Sequence, residues 1–173
     1  ERPVLNRYTP SWEGRQTTEL FQKFPLQMIS GHPRYSHHTY SDGKGSTTNE
    51  IKDHRILVDG YRYWVMRIAQ TDADARGIKQ HDLIRVHNDR GNVICVADVT
   101  PLMASGVCKS FESAAVFDVI EHPKYGRVDR GGCVNLLTPS RMQSKGTSAM
   151  GVNSCLVEIE KWTETDAFSV AAE

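Results

Sequence analysis

The chain has 173 residues, enough for one domain with a real core or one domain plus an extended arm. Its 21 basic and 21 acidic side chains cancel, which removes the global field that draws in nucleic acid or an anionic membrane. No apolar run approaches the roughly 20 residues that span a bilayer, so neither nucleic acid nor membrane insertion is expected.

The first residues, Glu1-Arg2-Pro3-Val4, carry no initiator Met and no signal-peptide apolar core, so the chain reads as a piece of something larger or a processed product. Four cysteines, Cys95, Cys108, Cys133 and Cys155, stand far apart with no CxxC or CxxH spacing. Tetrahedral zinc sites draw ligands in close pairs, so no metal ligand is assigned from the sequence. Apolar surroundings favour buried, reduced thiols, and a cytoplasmic location is the expectation that follows.

Residues 1–22 hold two prolines and no sustained periodicity, and read as an extended arm packed through Tyr8, Pro10 and Trp12. A domain is expected over 23–164, with 165–173 as a frayed tail. Phe24–Ile29 is the first predicted buried strand, ending at Ser30-Gly31. From His32 to Glu50 the chain is polar loop, followed by a weak helical turn near Asn49–His54. Tyr61–Ile68, rich in aromatic and branched residues, is the next strand. Thr71 is a suitable N-cap, Asp72 and Asp74 suit the first helical turn, and Gly77 suits the left-handed position beyond the last.

Strands 83–88 and 92–99 flank the tight turn Asn88-Asp89-Arg90-Gly91. Residues 101–106 form a turn, Val107–Phe111 is a strand, 112–131 read as irregular, and Cys155–Lys161 closes the domain. Six or seven short strands with little helix predict a mainly β fold, a barrel with short helical connectors.

Three loops carry groups suited to a ligand. Ser30-Gly31-His32-Pro33-Arg34 follows a strand end, where Gly allows close backbone approach and Ser, His and Arg supply donors to a phosphate or purine-like ring. His37-His38-Thr39 adds polar groups nearby, although solvated loop is an equally simple description. Adjacent His37 and His38 in extended chain point opposite ways, which argues against both on one ion. Gly131-Gly132 precede Asn135, an amide flanked by apolar residues that either needs a buried partner or closes a turn. The stretch from Ser144 through Asn153 is either a binding rim or a linker. No nucleophile elbow, Walker loop, HExxH or dinucleotide fingerprint occurs. The sequence describes a binder, not an independent catalyst.

Three phrases together resemble a known family. Pro25–Pro33 with His37-His38-Thr39, Asp72–Gly91, and Asp129–Thr138 followed by Val157–Lys161 are similar, in this order, to the C-terminal molybdopterin-dinucleotide-binding domain of the dimethyl sulfoxide reductase family of molybdenum and tungsten enzymes. Arg7–Gly14, Tyr40–Lys44 and Asn49–Arg55 resemble its branch of pyrogallol–phloroglucinol transhydroxylases.

The resemblance implies a double-psi β-barrel that grips one molybdopterin guanine dinucleotide of a bis-dinucleotide centre, the molybdenum (or tungsten) being held by the pterins. It places Ser30, Gly31, His32, Arg34, His37, His38, Thr39, Asn135, Thr138 and Asn153 against that cofactor. It implies as partners the rest of the same large catalytic subunit and an iron–sulfur small subunit. Two departures stand out: His81 replaces a glycine, which puts that turn's left-handed geometry in question, and Phe111-Glu112-Ser113 replaces a Gly-Gly/Ala-Trp phrase. Other readings are a different reductase of the family, or a non-catalytic double-psi barrel that binds peptides. A self-processing decarboxylase would need a Gly-Ser cleavage site, and Gly45-Ser46 lies in a loop instead.

Overall fold

The computed structural model describes residues 5, 8, 10–16, 19–35, 38, 49–112, 114, 116–144 and 147–163. Eleven strands occur among these: β1 Leu26–Gly31, β2 Arg55–Val58, β3 Tyr61–Ala69, β4 Leu83–Asn88, β5 Gly91–Thr100, β6 Val107–Phe111, β7 Val119–His122, β8 Gly126–Asp129, β9 Met142–Ser144, β10 Thr147–Met150 and β11 Cys155–Lys161. Two short helices, α1 Leu20–Lys23 and α2 Gln70–Asp74, and a 3-10 turn at Val134–Leu137 complete the regular structure.

Six strands close on themselves in the order β3-β6-β1-β11-β4-β5, and a parallel β3–β5 pairing seals the ring. The β1–β6 pairing is also parallel, whereas the other four joints are antiparallel. The fold is the expected double-psi β-barrel. β2 extends β3, the β7–β8 hairpin extends β5, and β9 pairs with β10 in a separate two-stranded sheet, so five strands lie outside the ring.

Alternation along the strands explains why β3 and β5 read as nearly continuous apolar runs. On β3, Met66 and Ile68 point into the barrel with Met28, Val86, Cys108 and Val157. Tyr63 and Val65 face the opposite side, where they pack with Ile94, Val96, Val128 and Trp162. Both faces are covered, so both sets of side chains are apolar. All four cysteines are buried and unpaired, as their apolar settings predicted. Burial pushes the Cys155 thiol up to about 11 and holds Cys95 and Cys108 higher still.

Several expectations need correction. Residues 112–131 contain the β7–β8 hairpin, hidden in sequence because each strand is only four residues long and buries few of its side chains. The N-cap of α2 is Ala69, not Thr71, and Asp72 instead accepts hydrogen bonds from the Ser105 hydroxyl (2.8 Å) and the Gly106 N–H (2.7 Å). Asp72 does sit in the first helical turn and also fastens the turn before β6, whereas Asp74 ends the helix rather than lying in its first turn. Gly77 does take φ +64, as the cap reading required. His81 adopts φ +66, so the left-handed turn survives without its glycine. Its N–H donates to the Ala97 carbonyl at 2.9 Å, and the Ala97 N–H donates to Asp82 at 2.9 Å, which fixes the geometry from both sides.

Parallel pairing brings the C-terminal ends of β1 and β6 to one rim, with Gly31 opposite Phe111. The antiparallel β1–β11 pairing sets Met28 opposite Cys155, so the start of β11 lies at the same rim.

Candidate functional site

The rim is built around the end of β1. Ser30 is buried, and its backbone N–H donates to Asn153 Oδ1 at 2.9 Å. Asn153 itself is solvent-exposed and borders a cavity of about 390 Å³ lined also by Trp12, Met150, Gly151 and Ser154. The Ser30 hydroxyl has no hydrogen-bond partner among the described residues. A buried hydroxyl without a partner costs free energy unless a ligand or water meets it. Gly31 has open space around it, the nearest atom to an added Cβ being Lys109 Cε at 3.8 Å.

Beyond Gly31 the chain turns back on β6. The Glu112 N–H donates to the Gly31 carbonyl at 3.2 Å, and the Glu112 carboxylate lies between two imidazoles. His32 Nδ1 is 2.7 Å and His38 Nδ1 is 3.1 Å from the same oxygen, Oε1. The two rings meet edge to face with centroids 4.7 Å apart. His38 takes φ +48, a left-handed conformation that costs about 1–2 kcal/mol for a residue with a Cβ. Arg34 is exposed and lies over the Tyr35 ring at 5.3 Å. His37 and Thr39 lie outside the described residues.

A second layer supports this loop. His54 is 1% exposed and stacks on Trp64, with Phe111 and Tyr35 against its other edges. Both ring nitrogens of His54 and the Trp64 indole nitrogen lack partners among the described residues. Burial lowers the His54 pKa; Asp53 opposes that shift and Arg67 adds to it.

The Asn135 expectation is only half met. Its side chain is exposed, not buried, because the 3-10 turn points it outward while Val134 and Leu137 face the core. Its carbonyl accepts from the Thr138 N–H (3.3 Å) and hydroxyl (3.0 Å), so Asn135 and Thr138 form a pair of their own. The paired glycines serve the protein, not a ligand. A Cβ on Gly132 (φ +83) would lie 2.6 Å from Trp64 Cδ1, and one on Gly131 would lie 2.1 Å from the Val116 carbonyl.

Sequence reasoning missed the network that fixes this second turn to the rim. Glu13, 3% exposed, accepts two hydrogen bonds from Arg90 (2.7 and 2.8 Å) and one from the Leu156 N–H (3.2 Å). Its own N–H donates to Ser154 Oγ at 2.9 Å. Arg90 Nε and Asn88 Nδ2 both donate to the Leu137 carbonyl, at 2.6 and 2.8 Å. Asn88 also donates to the Leu156 carbonyl at 3.0 Å. Glu13 and Arg90 together thus tie the N-terminal arm, the β4–β5 turn, the Asn135 turn and the start of β11. The arm's anchor is Glu13 rather than Trp12, which remains 53% exposed.

Residues 26–156 match the family described as the molydopterin dinucleotide binding domain. The chain belongs to that family. It is 52% identical over 161 residues to the pyrogallol hydroxytransferase large subunit of Pelobacter acidigallici, covering 93% of this chain and 18% of that protein. It is 36% identical over 156 residues to the dimethyl sulfoxide reductase DmsA of Escherichia coli K12, covering 89% of this chain and 17% of the relative. The fold is shared with acetylene hydratase from Pelobacter acetylenicus, with a TM-score of 0.60 at 10% identity, over 90% of this chain and 21% of that one. The chain therefore spans under a fifth of the length of these curated relatives.

The rim's donor set fits such a dinucleotide. The unpartnered buried Ser30 hydroxyl, the open backbone at Gly31, the exposed guanidinium of Arg34 and the outward amides of Asn135 and Asn153 suit a polar heterocycle joined to phosphates.

Proposed function

We propose that this domain grips one of two molybdopterin guanine dinucleotides in a molybdenum oxidoreductase whose whole chain carries out hydroxyl transfer on pyrogallol. The observation that carries the reading is the buried, unpartnered Ser30 hydroxyl at a rim whose neighbours are donors and open backbone. In this reading Ser30, Gly31, His32, His38 and Asn153 line the cofactor beside the barrel rim, with His37 and Thr39 in the same loop. Arg34 swings from Tyr35 to a phosphate, and Asn135 and Thr138 contact the cofactor from the second turn.

The bound group supplies a molybdenum (or tungsten) centre, where the chemistry takes place. The chain's own task is to position it. Charge-assisted bonds to phosphate oxygens contribute about 1.5–3 kcal/mol each, and a preformed rim lowers the ordering cost of making them. A net-neutral domain can hold a polyanion this way because only the local donors matter.

Similarity to a protein named as a large subunit supports a partner subunit beside the remainder of the same large subunit, and we propose an iron–sulfur small subunit for that role. The test is to purify the full-length enzyme anaerobically and measure three quantities together: molybdenum, guanine nucleotide released by acid, and turnover of pyrogallol. All three present supports the reading. A cofactor-free enzyme that still turns over pyrogallol overturns it, and a loaded enzyme inert toward phenols overturns the substrate assignment.

A further inference from the structure

The β7–β8 hairpin lies outside the barrel ring and has two unlike faces. Ile120 and Val128 on its inner face pack with Tyr63 and Trp162. On the outer face Val119 stands opposite Asp129 and Glu121 opposite Arg127, and a parallel pairing of Val93 with Asp129 joins the hairpin to the start of β5. Beside that face runs a groove of about 480 Å³ lined by Phe117, Val119, Leu136, Asn92, Arg90 and Arg127. Gly91 lets the Leu136 turn close on β5, since a Cβ there would lie 3.4 Å from the Leu136 carbonyl oxygen. None of these residues is among those placed against the dinucleotide.

Two independent observations mark this groove as an interface. Phe117, Val119 and Leu136 are 59%, 41% and 38% exposed, so three large apolar side chains meet water around one depression. β7 also ends the nine-stranded sheet, so one of its sides has no neighbouring strand among the described residues. Grouped apolar surface marks a contact site, and an open strand edge invites a cover. The polar groups of the groove are mostly spent. The Asp129 carboxylate accepts from the N–H groups of Asp118, Gly131 and Cys133 at 2.9, 3.0 and 2.8 Å, and Arg90 is held by Glu13. Arg127 is the outward cation: its side chain is 77% exposed, and it meets the equally exposed Glu121 only at 3.7 Å, a pair that water screens.

We propose that this groove docks an apolar or aromatic segment, flanked by a carboxylate, from the remainder of the same large subunit. The chain covers 18% of the pyrogallol hydroxytransferase large subunit and 17% of DmsA, so most of a subunit of that length lies outside it. The inference rests on the proposed function only in taking this domain as one part of such a subunit. The make-up of the groove favours a contact within one chain over one between subunits. Three apolar side chains beside Arg127, Asn92 and Arg90 form a modest, partly polar surface, as contacts between domains of one chain do. Permanent subunit interfaces are larger and more apolar. The incoming apolar side chain fills the space between Phe117, Val119 and Leu136, and its neighbouring carboxylate meets the Arg127 guanidinium.

The experiment places the photoreactive residue p-benzoylphenylalanine at Phe117 of the full-length enzyme, purified with whatever subunits accompany it, and maps the crosslinked peptides by mass spectrometry after illumination. Val119 serves as the second position should the first variant fail to fold. The expected result is a crosslink within the same polypeptide, to an apolar stretch outside these 173 residues with an acidic side chain close by. A crosslink to another subunit, to a second copy or only within these residues overturns the assignment, as does the absence of any crosslink from both positions. Adding Arg127→Glu should cut the crosslink yield by about twofold or more, because like charges then face each other, and an undiminished yield overturns the carboxylate assigned to the segment. Molybdenum is counted in the same samples. A loaded enzyme without the crosslink sinks this inference and leaves the proposed function standing, and the crosslink in an enzyme lacking pterin does the reverse.

Discussion

Arg90 grips Glu13 through two parallel N–H···O bonds of 2.7 and 2.8 Å, joining the N-terminal arm to the β4–β5 turn across 77 residues of sequence. The bond to Glu13 raises the Arg90 pKa, and burial only partly opposes it, so Arg90 stays charged throughout the accessible pH range. The carboxylate joins its own arm to the β4–β5 turn and the start of β11, and Arg90 adds the Asn135 turn through the Leu137 carbonyl, which makes the pair a structural keystone for both halves of the rim.

Removing one partner of a buried ion pair leaves the other charge uncompensated, at a cost of about 3–5 kcal/mol. Arg90→Ala should therefore destabilise the domain by about 3 kcal/mol and release the arm. Chemical denaturation gives the stability loss, and limited proteolysis near Glu13 should accelerate. An unchanged denaturation midpoint contradicts the keystone role.

Glycine is demanded at position 132 and merely preferred at 126. Both have positive φ, but a Cβ at 132 enters the Trp64 ring whereas one at 126 meets open space. Gly126→Ala should cost about 1 kcal/mol, the left-handed penalty alone. Gly132→Ala adds a clash in a packed core and should cost about 2–4 kcal/mol. Comparable shifts for both variants in a thermal melt would refute the contact argument.

Burial keeps His54 neutral, with its pKa below the usual 6.5. The unfolded chain takes up that proton more readily than the folded one, so the contribution of His54 is fully present above pH 6.5 and is lost as the pH falls below it. His87 is shifted the same way, by burial first and then by Arg85. The melting temperature should drop between pH 7.5 and 5.5, and His54→Phe should shallow that slope. A variant with the wild-type slope rules His54 out as a contributor.

Thiol reactivity follows from the same burial. With Cys155 pushed up to about 11 and all four cysteines buried, thiolate is scarce and inaccessible at pH 8. Iodoacetamide should leave Cys95, Cys108, Cys133 and Cys155 unmodified in the native protein and label all four after denaturation, as read by peptide mass mapping.

Much of the barrel was legible because β3, β4, β5 and β11 read as strand-length runs rich in apolar and branched residues, and because Gly77 and the Asn88–Gly91 turn carry conformational signals. The β7–β8 hairpin was not, since strands outside the ring bury little and alternate weakly. In the candidate site, the Ser30–Asn153 bond was foreshadowed by naming both residues, although nothing in the sequence shows that they meet. Glu13, Arg90 and Glu112 escaped notice for a physical reason. Each is a charged residue in a polar stretch, and only tertiary pairing distinguishes a buried carboxylate from a solvated one. Asn135 misled in the opposite way: apolar neighbours suggested burial, but a 3-10 turn sends successive side chains to different sides.

The central claim is that the loop after β1 holds the dinucleotide, and the most direct measurement is cofactor content in the full-length enzyme carrying Ser30→Ala, His38→Ala or Asn153→Ala. Losing a charge-assisted bond worth about 1.5–3 kcal/mol should lower molybdenum and acid-released guanine nucleotide together, in folded protein, after dialysis. Full loading of all three variants would contradict the account.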